Sequence, residues 1–471
     1  MKKRTLIVLA LLALFGGGSV SAEQRLIVRT ETGLNGAVVI RSACLNAGCR
    51  VKAGLDGSVN SVFVVTVDDA TLAAQPPSGG GLLGGLLGAV TKLLSVVANL
   101  LRQPGVEAVE LDSFLEMRDK RASNDAPPAA LFDKTEVEYH GATVRRGYLE
   151  QPAVRIIGLD DTRRAYGVTG TGVVAVIDTG VDPEHPVLRR VLLPGYDFVR
   201  DRDGADEKSD VSQSTAAMVD GNGQSNVNQS TAAMVDDQRP AFVNQSTAAM
   251  VDQSTAAMVD NPEFAAFGHG TMVAGVVHLV APTAKILPLK AFKADGSGYG
   301  SDIIRAIYFA AQNGATVINM SFSFPGSSRE LERACHYAAR RGIILVASTG
   351  NDGHRTMVYP AGYGNVMGVA STSNRDYRSS FSNYGYSLVW VAAPGEGIVT
   401  TYPFGHYAAT WGTSFSTPFV AGTAALLGEV KKLNEDQAEN AVSNAKFVSL
   451  EMGKGRLDIF RAVQYWRLFS R

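Results

Sequence analysis

From residue 172 onward, short runs of β-branched residues alternate with helical patterns, and this alternation limits the fold more than any other feature. The runs lie at 172–178, 285–290, 315–321 and 342–348, and helical patterns at 301–313 and 329–341 separate several of them. Strands that alternate with helices of this length predict an α/β fold, a doubly wound parallel sheet flanked by helices. Because such sheets place their chemistry at the carboxyl ends of the strands, functional residues are expected there.

The first 22 residues have the composition of a secretory signal. Lys2, Lys3 and Arg4 precede an apolar run at 5–15, and small residues at 20–22 precede the expected cut after Ala22. The alternative is a membrane anchor, but the run is too short to span a bilayer comfortably. We therefore expect a secreted protein, extracellular or periplasmic, with no membrane attachment once 1–22 is removed.

Residues 23–117 predict a small α+β domain with strands at 25–29, 61–67 and 106–111. Between them, 82–101 is nearly apolar but contains three glycines and the polar residues Lys92, Ser95 and Asn99, which favour a helix that covers one face of the domain. A membrane helix is the alternative. Residues 118–150 are charged and contain Pro127-Pro128, which predicts an exposed linker.

The charge balance argues against two classes of partner. The 44 basic and 45 acidic residues leave no net electrostatic field that would attract nucleic acid or anionic lipid.

The cysteines allow one local disulfide. Of the three cysteines, Cys44 and Cys49 are close enough in sequence for such a bond after export, although two buried free thiols fit equally well. Cys335 lies in a helical pattern and is expected in the core.

An eight-residue repeat interrupts the alternation of strands and helices. Gln-Ser-Thr-Ala-Ala-Met-Val-Asp occurs four times, at 213–220, 229–236, 245–252 and 253–260. Copies this short do not predict a solenoid with its own core. An exposed insertion at about 205–262 is one interpretation, and a lip that contacts substrate or a partner is the other.

Three segments together have the composition of a nucleophilic active site. A buried strand ends at Asp178, a helix of small residues begins at His269, and a second such helix begins near Ser414, with Pro418 in its first turn. A serine hydroxyl needs a base to take its proton as it attacks, and imidazole has a suitable pKa. A buried carboxylate orients that imidazole and stabilises its cation. The amide groups at the start of the serine helix would face an oxyanion.

These segments resemble the Asp, His and Ser signatures of the subtilisin-like serine peptidases (subtilases), in that family's order along the chain. The resemblance covers about 151–465, and the catalytic domain is assigned to 151–471. It implies a serine endopeptidase that acts on polypeptides, is monomeric and needs no cofactor for catalysis. It also implies that Asn351, in Ser348-Thr-Gly-Asn351, donates its amide to the oxyanion, whereas capping of a loop is its alternative role.

The resemblance extends to substrate binding and maturation. Gly298, Tyr299 and Gly300, with Ser321, Phe322 and Ser323, resemble the two edge segments that hold an extended substrate by backbone hydrogen bonds. Ordinary loop connections are the alternative for both segments. Residues 23–117 have the place and size of the family's propeptide, which assists folding and blocks the cleft until it is removed.

Some positions depart from the family pattern. Asp178 and His269 are 91 residues apart because the repeats lie between them, and Phe415-Ser416 stand where the family has Met-Ala. Ser323 and Phe324 replace glycines that line the pocket for the residue before the cut, so this pocket is expected to be narrowed or reshaped.

Many subtilases bind structural calcium, and the acids at 201–207 could supply oxygen ligands, but they lack the full loop pattern of an EF-hand. A solvated acidic loop is the favoured interpretation.

Two other function classes are less consistent with the sequence. Asp178-Thr-Gly is also an aspartic-protease signature, but that chemistry needs a second such acid, which is absent from the sequence. A binding scaffold that retained the fold without activity is the non-enzymatic alternative. His185 lies in a turn-like segment and is expected at the surface, without a role in catalysis.

Overall fold

The computed structural model describes residues 24–67, 82–117, 127–211, 249–250 and 266–469, without the side chains of 82–89 and 249–250. The predicted signal peptide and most of the repeat insertion therefore lie outside the described residues. The chain divides into two compact units, Met1–Ser113 and Phe114–Arg471. None of the helices in the described part is both long and apolar enough to cross a membrane.

The first unit is an antiparallel sheet with two helices, and it contains the three strands and the one helix that the sequence predicts, with one further strand and one further helix. Its strands pair in the order β2-β3-β1-β4. Leu26, Val65 and Val96 lie in its core, and Cys44 and Cys49 form the disulfide that the sequence left open. The elements are β1 Arg25–Thr30, α1 Gly36–Ala47, β2 Cys49–Gly54, β3 Val62–Val67, α2 Leu82–Arg102 and β4 Val106–Leu111.

The second unit is built on an eight-stranded sheet, and this confirms the predicted α/β class. The strand order is β10-β9-β12-β8-β14-β15-β16-β17, and every pair is parallel except β10 with β9. The strands of this unit are β5 Phe114–Glu116, β6 Glu136–Tyr139, β7 Ala142–Arg145, β8 Val173–Asp178, β9 Tyr196–Asp197, β10 Arg202–Asp203, β11 Ala249–Met250, β12 Lys285–Lys290, β13 Ser297–Tyr299, β14 Val317–Met320, β15 Ile344–Ser348, β16 Met367–Thr372, β17 Val391–Pro394, β18 Ile398–Tyr402 and β19 His406–Thr410.

Helices cover both faces of this sheet. Every residue of β15 is buried, so neither face of the strand meets solvent. The helices of this unit are α3 Arg146–Leu149, α4 Pro152–Ile156, α5 Leu159–Tyr166, α6 His269–Val280, α7 Gly300–Gln312, α8 Arg329–Ala339, α9 Thr413–Val430, α10 Glu435–Val442 and α11 Ile459–Phe469. The helices α6 and α9 pack against each other, and α7 packs against α8.

The exposed linker expected over 118–150 is wrong for 127–150. Leu131, Tyr139, Val144 and Tyr148 are buried in the main core of the second unit. The Tyr148 hydroxyl donates to the carbonyl of Gly275, on α6, at 2.7 Å. The charged residues that suggested a linker lie between these buried positions, so the local composition concealed them.

The antiparallel hairpin of β18 and β19 contacts α6 and fixes its position by hydrogen bonds. Thr400 and Thr401 of β18 donate their hydroxyls to the carbonyls of Met272 and Thr271, at 2.7 and 2.8 Å. This close approach needs a glycine at 275, since a Cβ there would lie 2.2 Å from the Thr401 hydroxyl. One edge of the hairpin also receives β11, a fragment of the third repeat copy, which pairs antiparallel with β19.

We predict that Gly275→Ala destabilises the second unit. The added methyl would push β18 away from α6, and overpacking of this kind costs about 1–3 kcal/mol. Urea unfolding, followed by circular dichroism, measures the change. Gly326→Ala is the matched control, because its new Cβ would meet nothing within 4 Å. Equal free energies of unfolding for the two variants would contradict the prediction.

Candidate active site

Asp178 and His269, far apart in sequence, meet at the carboxyl end of β8. Asp178 is the last residue of this strand and His269 the first of α6. The imidazole Nδ1 lies 2.7 Å from Asp178 Oδ1, and both side chains are buried. The same carboxylate oxygen accepts the backbone N–H of Thr179 at 2.8 Å. A buried carboxylate in this position fixes the orientation of the ring and favours its protonated form.

Ser414 lies in the first turn of α9, where its hydroxyl donates to the carbonyl of Ser321 at 3.0 Å. In return, the Ser321 hydroxyl donates to the carbonyl of Ser414 at 2.7 Å. Because Pro418 has no N–H, it cannot supply the helical bond that this carbonyl would otherwise receive. Pro418 lies in the second turn of the helix, so the prediction of the first turn was wrong, and Ser321 provides the missing donor.

Asn351 follows β15 and is held by the residue before Ser414. Its Oδ1 accepts both the backbone N–H and the hydroxyl of Thr413, each at 2.9 Å. Because both partners are donors, the oxygen of the amide must face them, and the NH₂ group must point away. This is the orientation that an oxyanion donor requires.

Phe415 packs beside the imidazole. The two ring centroids lie 5.4 Å apart, and Phe415 is fully buried. The aromatic ring that departs from the family pattern therefore forms part of the wall around His269. It also joins the start of α9 to the start of α6.

A strand from the chain itself lies along one of the predicted substrate edges. Strand β5 pairs antiparallel with β13, and Leu115 lies opposite Gly298. Met117 continues the strand by donating its N–H to the carbonyl of Gly296 at 2.8 Å. A Cβ on Gly296 would lie 3.3 Å from the Cβ atoms of both Met117 and Ala266, which places Met117 beside the turn that precedes His269.

The second predicted edge approaches the loop that carries Asn351. A Cβ on Gly350 would lie 2.8 Å from the hydroxyl of Ser323, so the second edge segment and the loop that carries Asn351 are close at this point. Phe322 and Phe324 stack with centroids 5.4 Å apart and are both buried. Ser323 is thus the side chain that narrows the space between the two segments.

The acids at 201–207 do not share a cation site. Asp201 accepts from Arg305 at 2.7 Å and from Tyr196, whereas Asp206 caps the backbone N–H of Lys208. Among the described residues, no group of three or more His, Cys, Asp or Glu is arranged to hold a metal ion. These residues do not fit calcium as a common set of ligands.

Glu207 contradicts the prediction of a solvated acidic loop, because it is fully buried. Burial raises its pKa to about 7 against the hydrogen bonds from Thr179 and Thr271, which lower it. Sequence reasoning missed this residue, which contacts both sides of the Asp178–His269 pair. The sequence signal for it is only an acid within a charged run.

His185 is also buried, so its expected place at the surface is wrong. Its Nε2 lies 3.1 Å from the carbonyl of His406, and burial lowers its pKa to about 4. His278, on α6, is buried beside Tyr148, and burial lowers its pKa to about 3. Both rings are neutral at neutral pH and pack in the core.

Comparison with known proteins identifies related sequences over most of the second unit. Residues 170–455 match the model of the subtilase family. Thermitase from Thermoactinomyces vulgaris is 34% identical over 310 residues, which are 63% of this chain and 90% of that protein. Subtilisin BL from Lederbergia lenta is 40% identical over 186 residues, which are 38% of this chain and 68% of that protein.

A solved structure supports the fold alone. The crystal structure of a lanthipeptide protease matches with a TM-score of 0.50 and 21% identity, over 67% of this chain and 95% of that one.

We predict that Thr413→Val lowers kcat on a peptide substrate by about three- to tenfold, with KM little changed. The variant loses the hydroxyl that holds Asn351 but keeps the backbone N–H, and one such bond contributes about 0.5–1.5 kcal/mol. Thr423→Val, on the same helix, is the matched control, since its hydroxyl donates to the carbonyl of Phe419 within the helix. Equal kcat values for the two variants would show that Thr413 does not position Asn351.

Proposed function

Because the chain belongs to the subtilase family of serine endopeptidases, we propose that it cleaves polypeptides through an acyl-enzyme formed on Ser414, with Asp178 and His269 as the other catalytic residues. The observation that carries this assignment is the 2.7 Å hydrogen bond between His269 Nδ1 and Asp178 Oδ1. This bond leaves Nε2 as the nitrogen of His269 that exchanges a proton with the serine.

The proposed reaction proceeds in two balanced steps. The Ser414 oxygen attacks the peptide carbonyl while His269 takes the hydroxyl proton, and His269 then gives this proton to the leaving amine. Water next attacks the ester, its proton passes to His269, and the return of the proton to Ser414 releases the carboxylic acid. The Asn351 amide and the backbone N–H of Ser414 stabilise the oxyanion formed in each step.

We also propose that the protein is secreted as a precursor and removes its own amino-terminal part. The pairing of β5 with β13 supports this, since it follows the antiparallel mode expected for a substrate. Met117 lies beside the turn before His269, so we place the cut within a few residues after Met117. Leu131 and Tyr139 are buried in the core of the second unit, which supports a mature enzyme that begins before residue 131.

A serine-directed fluorophosphonate tests the assignment of the nucleophile. We expect the wild-type protein to be labelled on Ser414 and Ser414→Ala to remain unlabelled, because only an activated hydroxyl reacts. Ser416→Ala is the matched control, since it removes a buried hydroxyl two residues away and should still be labelled. Labelling of Ser414→Ala at another residue would refute the assignment.

The same variants test maturation. We expect amino-terminal sequencing of the wild type and of Ser416→Ala to start within 118–127, and Ser414→Ala to keep residues 23–117. A shortened Ser414→Ala protein, purified without another protease, would contradict self-processing.

We propose that the residue before the cut is small, and that Ser323 sets this preference. Ser323→Gly should raise kcat/KM for a peptide with Phe at this position relative to Ala by about tenfold, since one buried carbon atom discriminates by about 10–200-fold. A peptide library with varied residues before the cut measures the ratio. Ser327→Gly, which removes an exposed side chain from the same loop, should leave it unchanged. An unchanged ratio for Ser323→Gly would contradict the proposal.

A further inference from the structure

Glu207 is a fully buried carboxylate to which the proposed reaction gives no role. It begins a short 3₁₀ turn, Glu207–Asp210, that follows β10. Burial of a carboxylate is unfavourable unless hydrogen bonds replace the lost water. Glu207 has four such bonds. Its Oε1 accepts from the Thr179 hydroxyl and from the N–H of Gly268 at 2.8 Å, and its Oε2 accepts from the N–H and the hydroxyl of Thr271 at 3.2 and 2.6 Å.

These donors lie next to Asp178 and His269 in the sequence, the two residues whose relative position the proposed reaction requires. Thr179 follows Asp178, whereas Gly268 and Thr271 lie just before and just after His269. One carboxylate therefore joins the end of β8 to the first turn of α6. The Thr179 hydroxyl adds a second link, because it accepts the N–H of Gly270 at 3.0 Å.

Glu207 also replaces the cap that α6 lacks. The N-cap residue, Gly268, has no side chain, so the first N–H groups of the helix need acceptors from elsewhere. Glu207 and Thr179 supply them, and the negative charge of Glu207 is favourable at the positive end of the helix. Gly268 cannot carry a capping side chain of its own, because a Cβ there would lie 2.2 Å from the Tyr402 ring.

We propose that Glu207, in its carboxylate form, is a positioning residue that holds Asp178 and His269 in their reactive alignment. This inference rests on the proposed roles of Asp178, His269 and Ser414. Glu207 touches no substrate in this account and acts only through the two segments that it joins. All four of its bonds use it as an acceptor, so the uncharged acid must either lose one of them or reverse the bond to a threonine hydroxyl.

The charged and titratable groups around Glu207 come from several elements. Asp178, on β8, raises its pKa, and the buried ammonium of Lys290, on β12, lowers it. Lys290 itself donates to the carbonyl of Thr179 and to Asp210. His269 lies between the Glu207 partners Gly268 and Thr271. Tyr402, on β18, is a further titratable side chain in this environment, and its own pKa is raised by burial and by Glu207.

The sign of the pH effect separates positioning from stability. The pKa of Glu207 is about 7 in the folded protein, above its ordinary value of 4.5, so the folded chain takes up the proton more readily than the unfolded chain. The contribution of this group to stability is therefore full below pH 4.5 and is lost as the pH rises through 7. The positioning role has the opposite pH dependence, because the four hydrogen bonds are made to the carboxylate form, which is populated at higher pH. Activity that depends on Glu207 should fall as the pH drops below 7, without unfolding.

Glu207→Gln tests the proposal, because it keeps the shape but turns an NH₂ group toward one of the donors. We expect kcat per fluorophosphonate-reactive site to fall about 10- to 100-fold, with KM changed less than about twofold, since small misplacement of reacting groups has effects of this size. On the acidic side of the pH profile, the fall in kcat should depend on the uptake of two protons in the wild type and of one proton in the variant. Glu184→Gln, which alters an exposed acid, is the matched control and should resemble the wild type.

The outcomes separate this inference from the proposed function. A wild-type protein that is not labelled at Ser414 would refute the proposed function. If the wild type is labelled, unchanged kcat and an unchanged acidic limb in Glu207→Gln would overturn the positioning role. Should Glu207→Gln fail to fold, Thr271→Val decides the question, because it removes one of the four bonds to Glu207, together with the acceptor of the Asp182 N–H. A fall in its kcat of about three- to tenfold supports the role, and an unchanged kcat overturns it.

Discussion

The hydrogen bond between Asp178 and His269 is the contact on which the proposed chemistry depends, and its two residues are 91 positions apart. A buried carboxylate next to an imidazole is stable only if its remaining interactions are fixed by the fold. Strand β8 lies inside the sheet between β12 and β14, so it delivers Asp178 to a rigid place at the carboxyl edge. Helix α6, clamped by β18, delivers His269 to the same edge.

The sequence predicted the features that local patterns encode. The runs at 172–178, 285–290 and 342–348 became parallel strands, because continuous β-branched residues suit strands that are buried on both faces. The start of α6 at His269 was also predictable, since small residues and a glycine before it mark a helix that packs closely. Once these elements were placed, the position of Asp178 followed from the topology of a doubly wound sheet.

What the sequence could not predict was the burial of polar residues by distant partners. Glu207 stands in a charged run, and its partners Thr179, Gly268 and Thr271 come from segments on both sides of the repeats. His185 looked like part of an exposed turn because the hairpin that covers it lies more than 200 residues away. Local charge predicts exposure correctly only where no remote donor or acceptor compensates for lost water.

In the proposed maturation, the pairing of β5 with β13 would keep the precursor inactive until a cut is made. Backbone pairing tolerates many sequences, so the segment from Phe114 to Met117 would compete with an extended peptide for the proposed substrate edge. While it is tethered, its effective concentration is on the order of millimolar, which keeps even a weakly bound strand in place. The proposed cut, a few residues beyond Met117, would remove this tether. The strand would then leave the edge by dilution, and the edge would become available to other substrates.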